Sequence, residues 1–262
     1  MTSDRRFGGI DRLYGLDGAH QIRQAHVVVV GIGGVGSWAV EALARSGVGR
    51  LTLVDLDHLA ESNINRQIHA VQATLGQSKV LAMQDRVHAF FEQCQVTCMD
   101  AFVDAGNWPC LLQGGTHQVD TVDAVIDACD DINAKLAMAV WARQVTTVFV
   151  TVGAAGGKRM AHGTDLADLA HVTHDPLLSK LRYRLRKEHA APNATPHGST
   201  RSPKTIGIQC VFSREPVATP HASCGLVEHD QSLNCHGLGS QVGVTASFGL
   251  CAASYVLNRL AA

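Results

Sequence analysis

A run of valines followed by a glycine-rich turn constrains the fold of this chain more than any other feature. Residues 27–30 are consecutive valines, which is typical of a strand that is buried on both faces. The turn at residues 31–36 reads GIGGVG, and the following SWAVEALAR has apolar residues at helical spacing, with Gly47 as a stop signal. Residues 51–54 form a second apolar run. The order strand, glycine turn, helix, strand predicts a βαβ unit.

The rest of the chain continues this alternation. Further strands are predicted at residues 95–99, 123–128, 147–152 and 206–213, and helices at 19–26, 78–90, 132–143, 176–187 and 242–257. Alternation of this kind predicts an α/β, Rossmann-like fold with a mostly parallel sheet, flanking helices and an irregular C-terminal part. We expect a single domain over residues 1–262, with a Rossmann-like core at about 20–155 and a substrate-side extension at about 156–262.

Composition narrows the class of protein. Hydrophobic residues make up 46% and charged residues 17%, which excludes general disorder. The net charge of −1 gives no overall attraction to nucleic acid, so any RNA contact requires a local basic patch. None of the eight cysteines forms a C-x-x-C pair, and the N-terminus MTSDRRFGG lacks an apolar signal core. We therefore expect a cytoplasmic protein with free thiols and no stable membrane insertion.

The glycine turn and the acid after the second predicted strand indicate a nucleotide site. Gly31, Gly33, Gly34 and Gly36 let the backbone approach a phosphate, and the next helix N-terminus supplies N–H donors. An acid at the position of Asp55 bonds ribose hydroxyls, a role that fits NAD and ATP equally. A second acid, Asp57, is interpreted either as part of the site or as a loop carboxylate.

Two cations and a later acid favour ATP over NAD. Arg66 and Lys79 follow the second predicted strand, where a site that binds a triphosphate and releases pyrophosphate needs positive charge. Asp130 follows the strand at residues 123–128, at the sheet edge where ligands bind, and a carboxylate there suits Mg²⁺. Its neighbours are interpreted differently: Asp127 as buried in the strand and Asp131 as a helix cap.

The blocks GIGGVGS, LVDLD, SNINRQ, GQSKV and DACDD, in that order, resemble the ubiquitin-activating-enzyme superfamily in its bacterial branch. The resemblance implies an ATP and Mg²⁺ site in which Asp55 binds ribose, Arg66 and Lys79 bind phosphates, Asp130 binds magnesium, and Asn63 and Gln67 line the pocket. It also makes Arg66, Lys79 and Asp130 the candidate catalytic residues, because a substrate carboxylate is adenylated there.

Further blocks, RFGGIDRLYG, TVGAAGGK, DLADLAHVTHDPLLSKLRYRLRK and GIQCVFSREP, resemble the family of tRNA threonylcarbamoyladenosine dehydratases. This resemblance implies ATP-dependent cyclisation of a modified adenosine in tRNA through an acyl-adenylate. It also implies a homodimer, and it leaves a sulfur-transfer protein as a further partner. The basic side chains are the candidate tRNA contacts: Lys180, Arg182, Arg184, Arg186, Lys187, Arg201 and Lys204. Three residues near the motifs, His69, Cys210 and Cys235, are interpreted as packing residues.

Three other functions remain open on the sequence. An enzyme that adenylates the C-terminal glycine of a small sulfur-carrier protein would share the ATP site, but the paired C-x-x-C zinc motifs are missing. An NAD-dependent oxidoreductase would leave Arg66 and Lys79 unexplained. A non-catalytic module that senses nucleotide would bind ATP without exchanging pyrophosphate.

Overall fold

A seven-stranded sheet forms the middle layer of the computed structural model, which describes residues 5–112, 122–193, 204–218 and 238–262. The strands are β1 (His26–Val30), β2 (Arg50–Val54), β3 (Gln95–Met99), β4 (Ala124–Asp127), β5 (Val148–Val152), β6 (Thr164–Asp168) and β7 (Gln209–Ser213). The described helices are α1 (Gly8–Gln24), α2 (Gly36–Arg45), α3 (Lys79–His88), α4 (Ile132–Ala142), α5 (Pro176–Glu188) and α6 (Val242–Leu260). The prediction of an α/β, Rossmann-like fold is confirmed.

The strand order across the sheet is β3-β2-β1-β4-β5-β7-β6. Neighbouring strands are parallel, apart from β6, which runs antiparallel to β7. The chain leaves β1 toward β2 on one side and later returns to β4 on the other side. This reversal opens a crevice beyond the carboxyl ends of β1 and β4, where ligands of such sheets bind.

The valines of β1 face both layers of helices. Val27 and Val29 belong to a hydrophobic cluster that includes residues of α2 and α6. Val28 and Val30 belong to a second cluster, which includes residues of α4 and α5. Each buried valine side chain contributes about 1.5–3 kcal/mol of transfer free energy, so an unbroken apolar run stabilises a strand in this central position.

The C-terminal helix α6 packs against α2 and the sheet rather than standing apart. Its buried side chains include Val244, Phe248, Ala252 and Val256, which share one hydrophobic cluster with α2. This confirms the predicted buried helix at the C-terminus. Across the ranges that the structure describes, no helix combines the length and the apolar character needed to span a bilayer.

Two elements differ from the prediction. Helix α1 begins at Gly8, well before residue 19, and bends at Gly15, where φ is 74° and ψ is 170°. Strand β6 was not predicted. It lies at the sheet edge, most of its residues are only half-buried, and its sequence TDLAD is largely polar. Its place in the sheet depends on pairing with β7, which lies far along the chain.

Candidate active site

A cavity of about 690 Å³ opens at the carboxyl ends of β1, β2 and β4. This is within the range of about 300–1,000 Å³ that is usual for small-molecule sites. Ten of the predicted site residues line it: Gly31, Gly33, Gly34, Asp55, Asp57, Asn63, Arg66, Gln67, Lys79 and Asp130. The structure therefore brings together side chains that are spread over about a hundred residues of sequence.

The glycines of the turn serve two different purposes. Gly31 has a φ of +84°, and a Cβ there would lie 2.8 Å from the backbone nitrogen of Cys129. A Cβ at Gly36 would overlap the carbonyl oxygen of Gly31. Gly36 is buried at the start of α2 and is not among the residues that line the cavity, so its predicted contact with the ligand stays a prediction. It lets the turn close tightly, whereas Gly33 and Gly34 face the cavity.

Asp55 is held firmly at the end of β2. One carboxylate oxygen accepts the N–H of Ile32 at 2.6 Å, and the other accepts the N–H of Asp57 at 2.8 Å. Burial raises the pKa of Asp55 above its usual range, although Lys79 and the two N–H donors act in the opposite direction. The bond to Ile32 fixes the carboxylate beside the glycine turn, where lone pairs remain for the hydroxyls of a ribose.

Lys79 places its ammonium group deep in the cavity. The residue begins α3 and is only 7% exposed. Its Nζ lies 2.6 Å from Asp57 Oδ2, and its backbone N–H donates to the carbonyl oxygen of Asp57 at 3.0 Å. The side chain of Asp57 therefore lines the cavity, and its contact with a ligand stays a prediction.

Hydrogen bonds hold both the backbone carbonyl and the guanidinium of Arg66. Its carbonyl oxygen accepts the indole N–H of Trp38 at 3.0 Å. Its Nη1 donates to the carbonyl oxygen of Ser62 at 2.8 Å and to Asn65 Oδ1 at 2.9 Å. Within the described residues, neither Nε nor Nη2 has an acceptor, and no carboxylate pairs with the guanidinium. Arg66 therefore presents unused donors and a positive charge at the cavity.

Asn63 and Gln67 flank Arg66 and are both buried. Asn63 Oδ1 accepts the N–H of Ala60 at 3.0 Å, so this side chain stabilises the short 3₁₀ turn before Arg66. Gln67 differs, because its Oε1 has no hydrogen-bond partner in the described part of the chain. A buried acceptor without a partner is costly, and a ligand or water in the adjoining cavity would relieve that cost.

Three acids at or just after the end of β4 have three different environments. Asp127 is fully buried, and Asp131 caps α4 by accepting the N–H groups of Asn133 and Ala134, each at 2.8 Å. Both interpretations from the sequence are confirmed. Asp130 is exposed at the cavity, and no residue that the structure describes bonds its carboxylate.

The carboxylates at the cavity suit Mg²⁺ only if phosphate oxygens complete the coordination shell of the ion. Among the described residues, no group of three or more His, Cys, Asp or Glu side chains is arranged to hold a metal ion. Magnesium in phosphate-binding sites commonly takes one or two carboxylates and completes its shell with phosphate oxygens and water. The single free carboxylate of Asp130 fits that arrangement.

Sequence reasoning missed a buried lysine behind the cavity. Lys135 Nζ lies 3.1 Å from both carboxylate oxygens of Asp127, 3.1 Å from Thr151 Oγ1 and 2.8 Å from the carbonyl oxygen of Val152. Burial acts to lower the pKa of Lys135, but the combined effects of Asp127, Cys129 and Asp175 outweigh it and the pKa is raised. The network joins the ends of β4 and β5, which lead into the cavity wall. A lone lysine within the apolar helix INAKLAMAVWA was the available signal.

The thiols in and near the cavity are poor nucleophiles. Burial raises the pKa of Cys129 well above its ordinary value, and its Sγ donates to Asp127 Oδ1 at 3.0 Å. Cys210 is fully buried, and burial raises the pKa of its thiol as well. Cys210 is therefore a packing residue, as predicted, whereas Cys235 lies outside the described residues.

The basic residues of α5 largely support their own fold. Arg182 and Arg186 donate to backbone carbonyl oxygens of neighbouring segments, and Arg184 pairs with Glu188 one turn later. Arg201 lies outside the described residues. The remaining candidates for RNA contact are exposed: Lys180, Lys187 and Lys204.

Known proteins resemble the chain over nearly its whole length. The model of the ThiF family matches residues 9–258. The tRNA threonylcarbamoyladenosine dehydratase of Haemophilus influenzae is 38% identical over 258 residues, covering 98% of this chain and 94% of that protein. The Escherichia coli dehydratase of the same name is 37% identical over 265 residues, with coverages of 98% and 94%. A crystal structure of the E. coli dehydratase in complex with ATP has a TM-score of 0.83 and 36% identity, covering 99% of this chain and 96% of that one. The chain belongs to the ThiF family.

Proposed function

We propose that the protein uses ATP to dehydrate threonylcarbamoyladenosine in tRNA, closing it to a cyclic product through an acyl-adenylate. One observation carries the proposal: a single cavity at the reversal of strand order unites the glycine turn, the Asp55 carboxylate and the cations of Arg66 and Lys79. The relatives that bear this activity in their names cover the chain almost completely, and one of them has been crystallised with ATP.

Different residues of the cavity bind different parts of ATP. The turn at Gly33 and Gly34 and the N-terminus of α2 receive phosphates, because N–H groups and the positive end of the helix converge there. Asp55 receives the ribose hydroxyls. Arg66 and Lys79 contact the β- and γ-phosphates, where negative charge develops as pyrophosphate leaves.

In the first step, a carboxylate oxygen of the substrate attacks the α-phosphorus of ATP. A new bond forms between that oxygen and phosphorus, and the bond to pyrophosphate breaks. Fixed cations at Arg66 and Lys79 stabilise the leaving group without any reorganisation during the reaction. Asp130 would hold Mg²⁺ against the phosphates, and the ion when bound supplies neutralisation of their charge.

In the second step, the carbamoyl group of the same substrate attacks the activated acyl carbon, and AMP leaves with the former carboxylate oxygen. The ring closes, the carbamoyl group loses a proton, and water has been removed overall. The nucleophile lies within the substrate, so no protein thiol is needed. The raised pKa of Cys129, the cysteine that lines the cavity, supports this route.

The proposal includes three partners and a location. The exposed lysines near α5 are the tRNA contacts. A second copy of the chain covers α1, whose Leu13 and Leu16 are 72% and 74% exposed. A sulfur-transfer protein remains a further partner, and a tRNA substrate fits action in the cytoplasm. We treat residues 1–262 as one adenylating domain because β6 and β7, which follow residue 155, pair within the same sheet as β1.

The test measures AMP and pyrophosphate release by the purified protein with Mg²⁺ and ATP. We expect release with threonylcarbamoylated tRNA and none with the same tRNA lacking the modification. The variant Arg66→Ala should lose the activity. Release that depends instead on a small protein with a C-terminal glycine would favour the sulfur-carrier alternative, and stabilisation by NADH but not by ATP would overturn the proposal.

A further inference from the structure

The guanidinium of Arg66 is held on one side only. Its Nη1 has two hydrogens, and both are used, by the carbonyl oxygen of Ser62 and by Asn65 Oδ1. On the opposite edge, Nε–H and Nη2–H point in parallel, and together they form the fork that binds an anion through two hydrogen bonds. That whole fork has no acceptor among the residues that the structure describes.

The partner that orients the guanidinium is itself braced from a distant part of the chain. Asn65 Nδ2 donates to the carbonyl oxygen of Ser240 at 2.9 Å. Ser240 precedes Gln241, which caps α6 and whose Nε2 donates to the carbonyl oxygen of Arg159 at 2.9 Å. Asn65 is exposed, yet both ends of its amide are engaged. The orientation of Arg66 is therefore tied to the start of α6.

The acceptors around Arg66 are also electrically neutral. A carbonyl and an amide oxygen fix the guanidinium without cancelling its charge, whereas the neighbouring cation Lys79 forms an ion pair with Asp57 at 2.6 Å. A carboxylate in place of the Asn65 amide would compete with phosphate for the guanidinium. An asparagine at this position orients the guanidinium of Arg66 and leaves its positive charge available to a phosphate.

We propose that Asn65 is a positioning residue for Arg66, which holds the Nε–Nη2 fork toward the polyphosphate by bracing it on the backbone of Ser240. This role rests on the proposed function only in requiring that ATP occupies the cavity. It adds a residue that touches neither the ATP nor the tRNA substrate.

The test uses Mg·ATP affinity by calorimetry together with the AMP-release rate, for Asn65→Ala, Asn65→Asp and the matched control Asn258→Ala. Asn258 is an exposed asparagine of α6 whose amide, among the described residues, bonds Ser254 of the same helix and no other side chain or backbone group. We expect Asn65→Ala to weaken affinity by about tenfold, the usual worth of one hydrogen bond to a charged group, with an unchanged melting temperature. Asn65→Asp should weaken it further, because its carboxylate neutralises Arg66. Asn258→Ala should change neither quantity.

A double-mutant cycle separates positioning from any other role of Asn65. If it acts only through Arg66, Asn65→Ala should add no further loss of Mg·ATP affinity in an Arg66→Ala background. An equal loss in both backgrounds, or no loss in either, would overturn the proposal. Wild-type protein that binds Mg·ATP but ignores the modified tRNA would refute the proposed function and leave the Asn65 comparison measurable, while absence of ATP binding would overturn both.

Discussion

Lys79 and Asp57 form an ion pair at the cavity, with Nζ 2.6 Å from Oδ2 and a second hydrogen bond between their backbones. The two side chains are unequal partners, because Lys79 is buried whereas Asp57 is exposed. An exposed carboxylate retains most of its hydration, so phosphate can replace it as the partner of the ammonium group at little cost. Under the proposed function, the pair would compensate the charge of the lysine until a polyphosphate binds.

The first prediction follows from this inequality. Lys79→Met should lower the rate of substrate-dependent pyrophosphate exchange by about two orders of magnitude, because a fixed cation facing the leaving group is lost. Asp57→Asn should lower it by less than about tenfold, since an amide oxygen still accepts from the ammonium group. Equal losses in the two variants would show that the carboxylate itself takes part in the reaction.

The second prediction distinguishes the neighbouring acids Asp130 and Asp131. Asp130→Asn should raise the Mg²⁺ concentration needed for half-maximal activity, because its free carboxylate is the proposed ligand. Asp131→Ala should instead cost about 1 kcal/mol of unfolding free energy, the usual worth of a helix N-cap, and leave the Mg²⁺ dependence unchanged. Magnesium titrations and urea unfolding of both variants provide the measurement. If Asp131→Ala changed the Mg²⁺ dependence and Asp130→Asn did not, Asp130 would be removed from the metal site.

The third prediction separates the two kinds of glycine in the turn. A Cβ at Gly33 would meet nothing nearer than Gln67 Nε2 at 3.9 Å, so Gly33→Ala should fold normally while its methyl group obstructs the phosphates. A Cβ at Gly36 would collide with the backbone of Gly31, and Gly36→Ala should lose more than about 3 kcal/mol of stability. Gly33→Ala should therefore keep the wild-type melting temperature and bind Mg·ATP more weakly, whereas Gly36→Ala should have a lowered melting temperature. A stable Gly36→Ala protein with weakened ATP binding would support the ligand contact predicted for Gly36 from the sequence.

The fourth prediction concerns pH and the buried imidazole of His69. Burial, together with the charges of Lys79 and Arg86, lowers the pKa of His69 to about 3 from 6.5. Above about pH 6.5 the ring is neutral in both the folded and the unfolded chain. Between about pH 3 and about pH 6.5, only the unfolded chain binds a proton on this ring. Stability therefore falls as the pH is lowered through this window, by about 1.4 kcal/mol per pH unit at most.

His69→Leu should make that pH dependence shallower. Neither ring nitrogen of His69 has a hydrogen-bond partner within the described ranges, so an apolar side chain of similar size leaves no described partner unsatisfied. Urea unfolding from about pH 6 to about pH 4 measures both slopes. Identical slopes in wild type and variant would mean that His69 is protonated in the native state.

The elements that could be predicted are those whose signals are local. The boundaries of β3 match the prediction at residues 95–99, and Gly47, with a φ of +84°, follows α2 as the stop signal indicated. Strand β6 carries no such signal, because its half-exposed residues become a strand only through the ladder from Thr164–Ser213 to Asp168–Gln209. Pairing over such separations cannot be read from a short stretch of sequence.

The same distinction applies to the candidate site. Arg66, Lys79 and Asp130 could be named because each lies in a short block that follows a predicted strand and that the family resemblance assigns to ATP binding. The unpartnered Oε1 of Gln67 and the packing role of Gly36 depend on which atoms meet across the turn. Local sequence identifies the residue types that a polyphosphate requires, but it does not say which of them contact it.

The buried bonds of Lys135 limit which substitutions the protein can accept. Its ammonium group joins Asp127 to Thr151, and Thr151 Oγ1 in turn donates to Asp127 Oδ2 at 2.6 Å. Loss of Lys135 or Asp127 leaves the other buried charge without its partner, at a cost of about 3–5 kcal/mol for a broken ion pair. Loss of Thr151 leaves that ion pair in place. Positions 127 and 135 should therefore be inherited as a pair, and a descendant that replaces the lysine with an apolar side chain should have given up the acid as well.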